Sequence, residues 1–67
     1  MKIFAERLKL ARTERGISQR ELCRRLGVSQ NLVGEYERAE AIPKIDSLLA
    51  IAQELDCTTD FLVGLED

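Results

Sequence analysis

Within nine positions the chain carries Gln30, Asn31, Gly34, Glu35 and Arg38, a set of side chains suited to hydrogen bonding with nucleobase edges. An amide presents a donor beside an acceptor, the pattern that pairs with adenine N6 and N7, and a carboxylate accepts from cytosine N4. Taking 100° per residue and Gln30 as origin, Gly34 lies at about 40°, Arg38 at about 80°, Asn31 at about 100° and Glu35 at about 140°. One helical face would hold all five, with Gly34 offering bare backbone for close approach. Leu32, Val33, Tyr36 and Glu37 fall on the opposite face, between about 200° and 340°. The spacing predicts a helix over about Gln30–Arg38, apolar beneath and polar above. Any surface helix has a polar face, so the pattern acquires meaning only from what precedes it.

Upstream, Ser18 is a good N-cap and Glu21 three residues later completes a capping box, which predicts a helix over about Gln19–Leu26. Leu22, Cys23 and Leu26 form its apolar stripe, and Gly27 supplies a left-handed stop. Ser29 follows as the N-cap of the next helix. Two short helices joined by so tight a turn must cross steeply, which pushes the second outward, as a helix must be to enter the major groove of DNA. Phe4, Leu8, Ala11 and Arg15, at i, i+4, i+7 and i+11, mark a first helix over about residues 2–15, stopped by Gly16. Pro43 closes the connection Ala39–Pro43. A fourth helix is expected over about Lys44–Leu55. Its Ile45, Leu48, Leu49, Ile51, Ala52 and Leu55 sweep nearly half the circumference, so it should be the most buried. Thr58 caps a last helix, about Thr59–Val63, with Asp60 favourably placed in its first turn. No run alternates as a strand would. The expected fold is all-α, a compact five-helix domain of 67 residues.

Charge is unevenly spread. Residues 1–38 carry nine basic and five acidic side chains, a net +4, whereas residues 39–67 carry one and seven, a net −6. A bipolar domain can turn its positive end to phosphate. Two features of the apolar faces stand out: Arg12 beside the stripe of the first helix and Glu37 on the inward face of the third. An unpaired buried carboxylate is costly, so an Arg12–Glu37 ion pair is expected to tie the two helices together. Cys23 and Cys57, with no histidine in the chain, do not make a metal site and read as small buried hydrophobes in a reducing cytosol. There is no phosphate-cradling glycine loop and no base to activate a serine or cysteine, so no enzyme activity, cofactor or small-molecule ligand is expected. The chain lacks an 18-residue apolar run and a secretory h-region, so a cytoplasmic location away from membranes is expected.

Taken together, Phe4-x3-Leu8-x2-Ala11-Arg12, Gly16-Ile17-Ser18-Gln19-x2-Leu22, Leu26-Gly27-Val28-Ser29, Val33-x2-Tyr36-Glu37, Pro43, Leu48-x2-Ile51-Ala52-x2-Leu55 and Asp60-Phe61-Leu62 resemble the Cro/lambda-repressor-type (XRE) helix-turn-helix family. The resemblance spans Phe4 to about Gly64, with the helix-turn-helix at about 18–38. It implies a domain that binds near-palindromic, double-stranded operator DNA as a homodimer and regulates transcription, most often as a repressor. By position it implies that Gln19 holds a phosphate and braces the reading helix. Ser29, Gln30, Asn31 and Glu35 take reading positions, and Arg38 and Lys44 lie near backbone phosphates. Two departures are visible: Ala39 where the family often has a helix-ending glycine, and Glu40 where a basic residue is common, which should weaken a phosphate contact. Phe61, Leu62 and Leu65 are candidate dimer contacts. The alternative is a protein-interaction module on the same scaffold, docking through Ile3 and Leu10 on the first helix or through the acidic C-terminal end.

Overall fold

A computed structural model describes residues 1–67. Five helices follow in order: α1 (Lys2–Glu14), α2 (Gln19–Leu26), α3 (Leu32–Glu37), α4 (Ile45–Glu54) and α5 (Thr59–Val63). The chain is all-α, and no helix is long and apolar enough to cross a membrane. Ser18 Oγ accepts from the Glu21 backbone N–H at 3.0 Å, capping α2. The reciprocal half of the capping box does not form. Instead the Glu21 carboxylate accepts from Arg24 Nε and Arg25 Nε, each at 2.9 Å, because two guanidinium groups one turn on outcompete a backbone N–H for it.

One core joins all five helices. Phe4, Leu8 and Ala11 from α1 pack with Leu22 and Cys23 from α2, Val33 and Tyr36 from α3, Ile51 and Ala52 from α4, Leu55, and Leu62 from α5. Phe4 and Tyr36 meet edge to face with centroids 5.7 Å apart, which fixes α3 across α1. The helix with the most buried residues is α1 and the one with the largest buried share is α3, not α4 as its apolar sweep suggested. Ile45 is 87% exposed and Leu49 51% exposed, while Ile51 and Ala52 are buried. With Ile51 as origin, Leu48 and Leu55 lie within about 60°, but Ile45 and Leu49 lie at about 120° and 160°. Counting apolar residues measured the width of the stripe; only the inner part of that width has neighbours.

The C-terminal turn is fastened to α1. Arg7 lies over the Phe61 ring at 4.6 Å and donates to the Phe61 and Glu66 carbonyls at 2.9 and 2.6 Å. Gly64, at φ +88°, sits so close to Ile3 that an added Cβ would approach Ile3 Cγ1 to 2.9 Å. Ile3 is therefore occupied by its own chain and does not form an outward stripe with Leu10. Leu62 is fully buried in the core, so its side chain cannot reach a partner, and Phe61 is held under Arg7. Of the three C-terminal positions, Leu65 alone is well exposed, at 78%.

Candidate nucleic-acid interface

The turn between α2 and α3 sets the site. Gly27 ends α2 at φ +70°, and its N–H and that of Val28 bond back to the carbonyls of Arg24 and Cys23. The chain then makes one further turn, closed by Leu32 N–H to the Ser29 carbonyl at 3.0 Å, before α3 begins. Thus α3 starts at Leu32, two residues later than the sequence pattern suggested, and Asn31 stands at its N-cap position in right-handed conformation. Ser29 is not that cap; its Oγ makes only a long 3.5 Å contact with the Asn31 N–H. The apolar residues Leu32, Val33 and Tyr36 anchor the helix, whereas Gln30 and Asn31 have no apolar attachment and stay in the turn, exposed.

Below the site, the Val33 N–H donates to Cys23 Sγ at 3.5 Å, linking the start of α3 to the body of α2. At the other end, Arg12 grips Glu37 with two parallel bonds, Nε to Oε2 at 2.6 Å and Nη2 to Oε1 at 3.0 Å. The pair is nearly dry, with side chains 10% and 4% exposed. Arg12 Nη1 donates to the Ile17 carbonyl at 2.8 Å and Gln19 Nε2 to Glu37 Oε1 at 2.9 Å. No buried side-chain nitrogen or oxygen lacks a partner. A fully satisfied buried network of this kind fixes orientation, since each member loses a bond if the helix rotates. Gln19 thus braces α3 through Glu37, with its amide oxygen facing Gly34.

On the outer side, Gln19, Gln30, Asn31, Gly34, Glu35 and Arg38 line one polar depression of about 260 Å³ that no hydrophobic residue enters. Six of the eight residues singled out in the sequence for DNA are therefore neighbours. Ser29 and Lys44 lie outside it, Ser29 in the preceding turn and Lys44 exposed at the N-cap of α4. Gly34 does not present bare backbone. It is buried under two side chains, with Arg38 Nη1 3.1 Å and Gln19 Oε1 3.3 Å from where its Cβ would be. Sequence reasoning passed over Arg20, which with Arg24 and Gln30 lines a second polar depression beside the first. Its signal was a basic residue one position after Gln19, at the exposed start of α2. It also treated Glu40 only as a lost phosphate contact, whereas Glu40 lies 3.1 Å from Arg38 Nε. Both cysteines are free thiols, Cys23 buried and Cys57 partly so, and burial pushes the Cys57 thiol above its ordinary range.

Clustered amides thus lie over an anchored helix, with arginines at the rim. Residues 8–62 match the helix-turn-helix family model. Over 61 residues the chain is 38% identical to a prophage-derived HTH-type transcriptional regulator of Bacillus subtilis strain 168, covering 91% of this chain and 56% of that protein. It is 33% identical to repressor protein C2 of Salmonella phage P22, covering 91% of this chain and 28% of the repressor. The chain thus spans about half, or less, of the length of these curated relatives. The crystal structure of the restriction-modification controller protein C.AhdI from Aeromonas hydrophila superposes with a TM-score of 0.84 at 31% identity, covering 91% of this chain and 92% of that one. This chain belongs to the XRE-type helix-turn-helix family of transcription regulators.

Proposed function

We propose that this chain is a sequence-specific DNA-binding transcriptional regulator, acting as a repressor, that binds a near-palindromic operator as a homodimer with α3 in the major groove. The observation that carries this reading is the polar depression formed by Gln19, Gln30, Asn31, Gly34, Glu35 and Arg38 over a helix locked from below by Arg12 and Glu37. A repressor relative supports the direction of regulation. Ser29, Gln30 and Asn31 take the reading positions at the N-terminal end of α3, Gln19 binds phosphate there, and Lys44 binds phosphate beyond its C-terminal end. Glu35 reads cytosine or rejects phosphate in wrong registers. Such a protein works in the cytoplasm beside the chromosome.

A partner copy needs apolar surface, and the C-terminal residues offer only Leu65. Ile45 and Leu49, one turn apart on α4, offer more, with Ile42 70% exposed just before them. In this reading they form the dimer seam, and the two α3 helices meet half-sites one helical turn apart, about 10 base pairs centre to centre.

Selection of bound sequences from random double-stranded DNA tests the function. The wild type should enrich a two-fold symmetric motif, and its affinity should fall steeply with salt. Gln30→Ala with Asn31→Ala should flatten the motif while leaving affinity for random DNA largely unchanged. Equal losses on selected and random DNA would refute the base-reading role. Ile45→Ser with Leu49→Ser should abolish symmetric binding and leave helix content intact.

A further inference from the structure

Arg38 is placed by three local features. Its guanidinium lies over Gly34, with Nη1 3.1 Å from the missing Cβ, an approach that a side chain at this position would crowd. Ala39 takes a left-handed φ of 60°, and the Glu40 N–H returns to the Glu35 carbonyl at 2.9 Å while the Ala39 N–H bonds Tyr36 O at 3.0 Å. That closure swings Glu40 back alongside the helix, with its carboxylate 3.1 Å from Arg38 Nε.

We propose that Arg38 is a specificity-determining residue that reads a guanine: Glu40 holds Nε, the gap at Gly34 admits the guanidinium to the reading face, and the two Nη groups remain free for O6 and N7. This deepens the DNA-binding reading and rests on it. An arginine reaching for phosphate would gain nothing from a carboxylate at its Nε, because that carboxylate repels the phosphate it seeks. A base-reading arginine gains a fixed fork, since an end-on pair of N–H donors is what guanine accepts and a held fork loses less freedom on binding. Glu40 acts through Arg38 and is a positioning residue; it repels backbone phosphate and so also keeps the fork off the strand.

The test is sequence selection with the 67-residue chain and four variants, each first checked for wild-type helix content. Wild type should require guanine at one position of each half-site. Arg38→Lys keeps the charge but loses the fork, so preference at that position should fall on the order of tenfold or more, with the other positions and the salt slope unchanged. Glu40→Gln should weaken preference at the same position alone, and Glu40→Asp should retain part of it. Gly34→Ala, whose Cβ would crowd Arg38 Nη1 at 3.1 Å and Gln19 Oε1 at 3.3 Å, should shift the guanidinium by a few tenths of an ångström and weaken the preference less than Arg38→Lys does. If Arg38→Lys leaves the motif intact, or lowers affinity equally on all sequences, Arg38 is a phosphate contact and the proposal fails. If the wild type enriches no motif, the DNA-binding reading itself falls and takes this one with it.

Discussion

Glu37 and Glu40 stand three residues apart at the end of α3, and each faces an arginine. The Glu37 side chain is 4% exposed and shares its two oxygens among three donors from α1 and α2. The Glu40 side chain is 56% exposed and meets one side chain, Arg38, itself 58% exposed. Removing one partner of the first pair strands a charge in low dielectric; removing one of the second returns a charge to water. The first pair thus holds the helix and the second can only aim a side chain. The same chemistry serves structure or recognition according to its solvent.

The largest effect expected from this contrast is Glu37→Ala. Leaving the Arg12 guanidinium buried without its carboxylate should cost about 3–5 kcal/mol. A domain of this size has little more to lose, its total stability being roughly 5 kcal/mol at the low end of the usual range. Urea or thermal melts should show the variant largely unfolded near room temperature. A loss under 1 kcal/mol would mean that the pair is solvated and the contrast false.

Next comes the residue between the two carboxylates. Ala39 adopts φ 60°, a conformation that costs an L-residue about 1–2 kcal/mol relative to glycine. Part of this is offset because glycine has more freedom to lose on folding, so Ala39→Gly should stabilise the domain by about 0.5–1 kcal/mol. For a chain of this length that is a rise in Tm of roughly 2–8 °C. A fall in Tm would show that the left-handed turn is not populated, and Glu40 would then not return to Arg38.

How much of this the sequence discloses varies by residue. The Arg12–Glu37 bond is legible because a charge on an apolar face must find a partner, and only one other misplaced charge exists. The two short helices around Gly27 are legible because capping and glycine chemistry are local. The Arg38–Glu40 contact is not, since it depends on Ala39 accepting a conformation that alanine normally avoids. The start of α3 is misplaced for a similar reason: Ser29 is a good cap by type, but the anchoring apolar residues begin at Leu32, and packing decides the boundary. Exposure along α4 is hidden because periodicity reports which residues share a face, not where neighbouring helices end. Gly34 is the sharpest case. Its identity suggested open backbone, yet two side chains from elsewhere fill the space it leaves.

Glu40→Ala should change stability by no more than about 0.5 kcal/mol, as expected for an exposed pair. A melt that matched Glu37→Ala would erase the distinction between holding and aiming.

The smallest expected effect concerns a third charged cluster, at the surface, which shows how little a large shift can mean in water. Hydrogen bonds from Arg24 and then Arg25 hold the Glu21 carboxyl down at about 2 from an ordinary 4.5, at a site that water still reaches, with the side chain 33% exposed. A depressed carboxyl pKa contributes stability that is whole above about 4.5 and is lost as pH falls toward about 2. An acid titration followed by circular dichroism should therefore show Glu21→Gln and wild type converging below that window, with the wild type ahead above it only slightly, because water and salt screen the cluster. The buried pair supplies the control: at high salt the Glu21 difference should vanish, while the Glu37→Ala deficit should persist, since ions cannot enter where Arg12 and Glu37 meet.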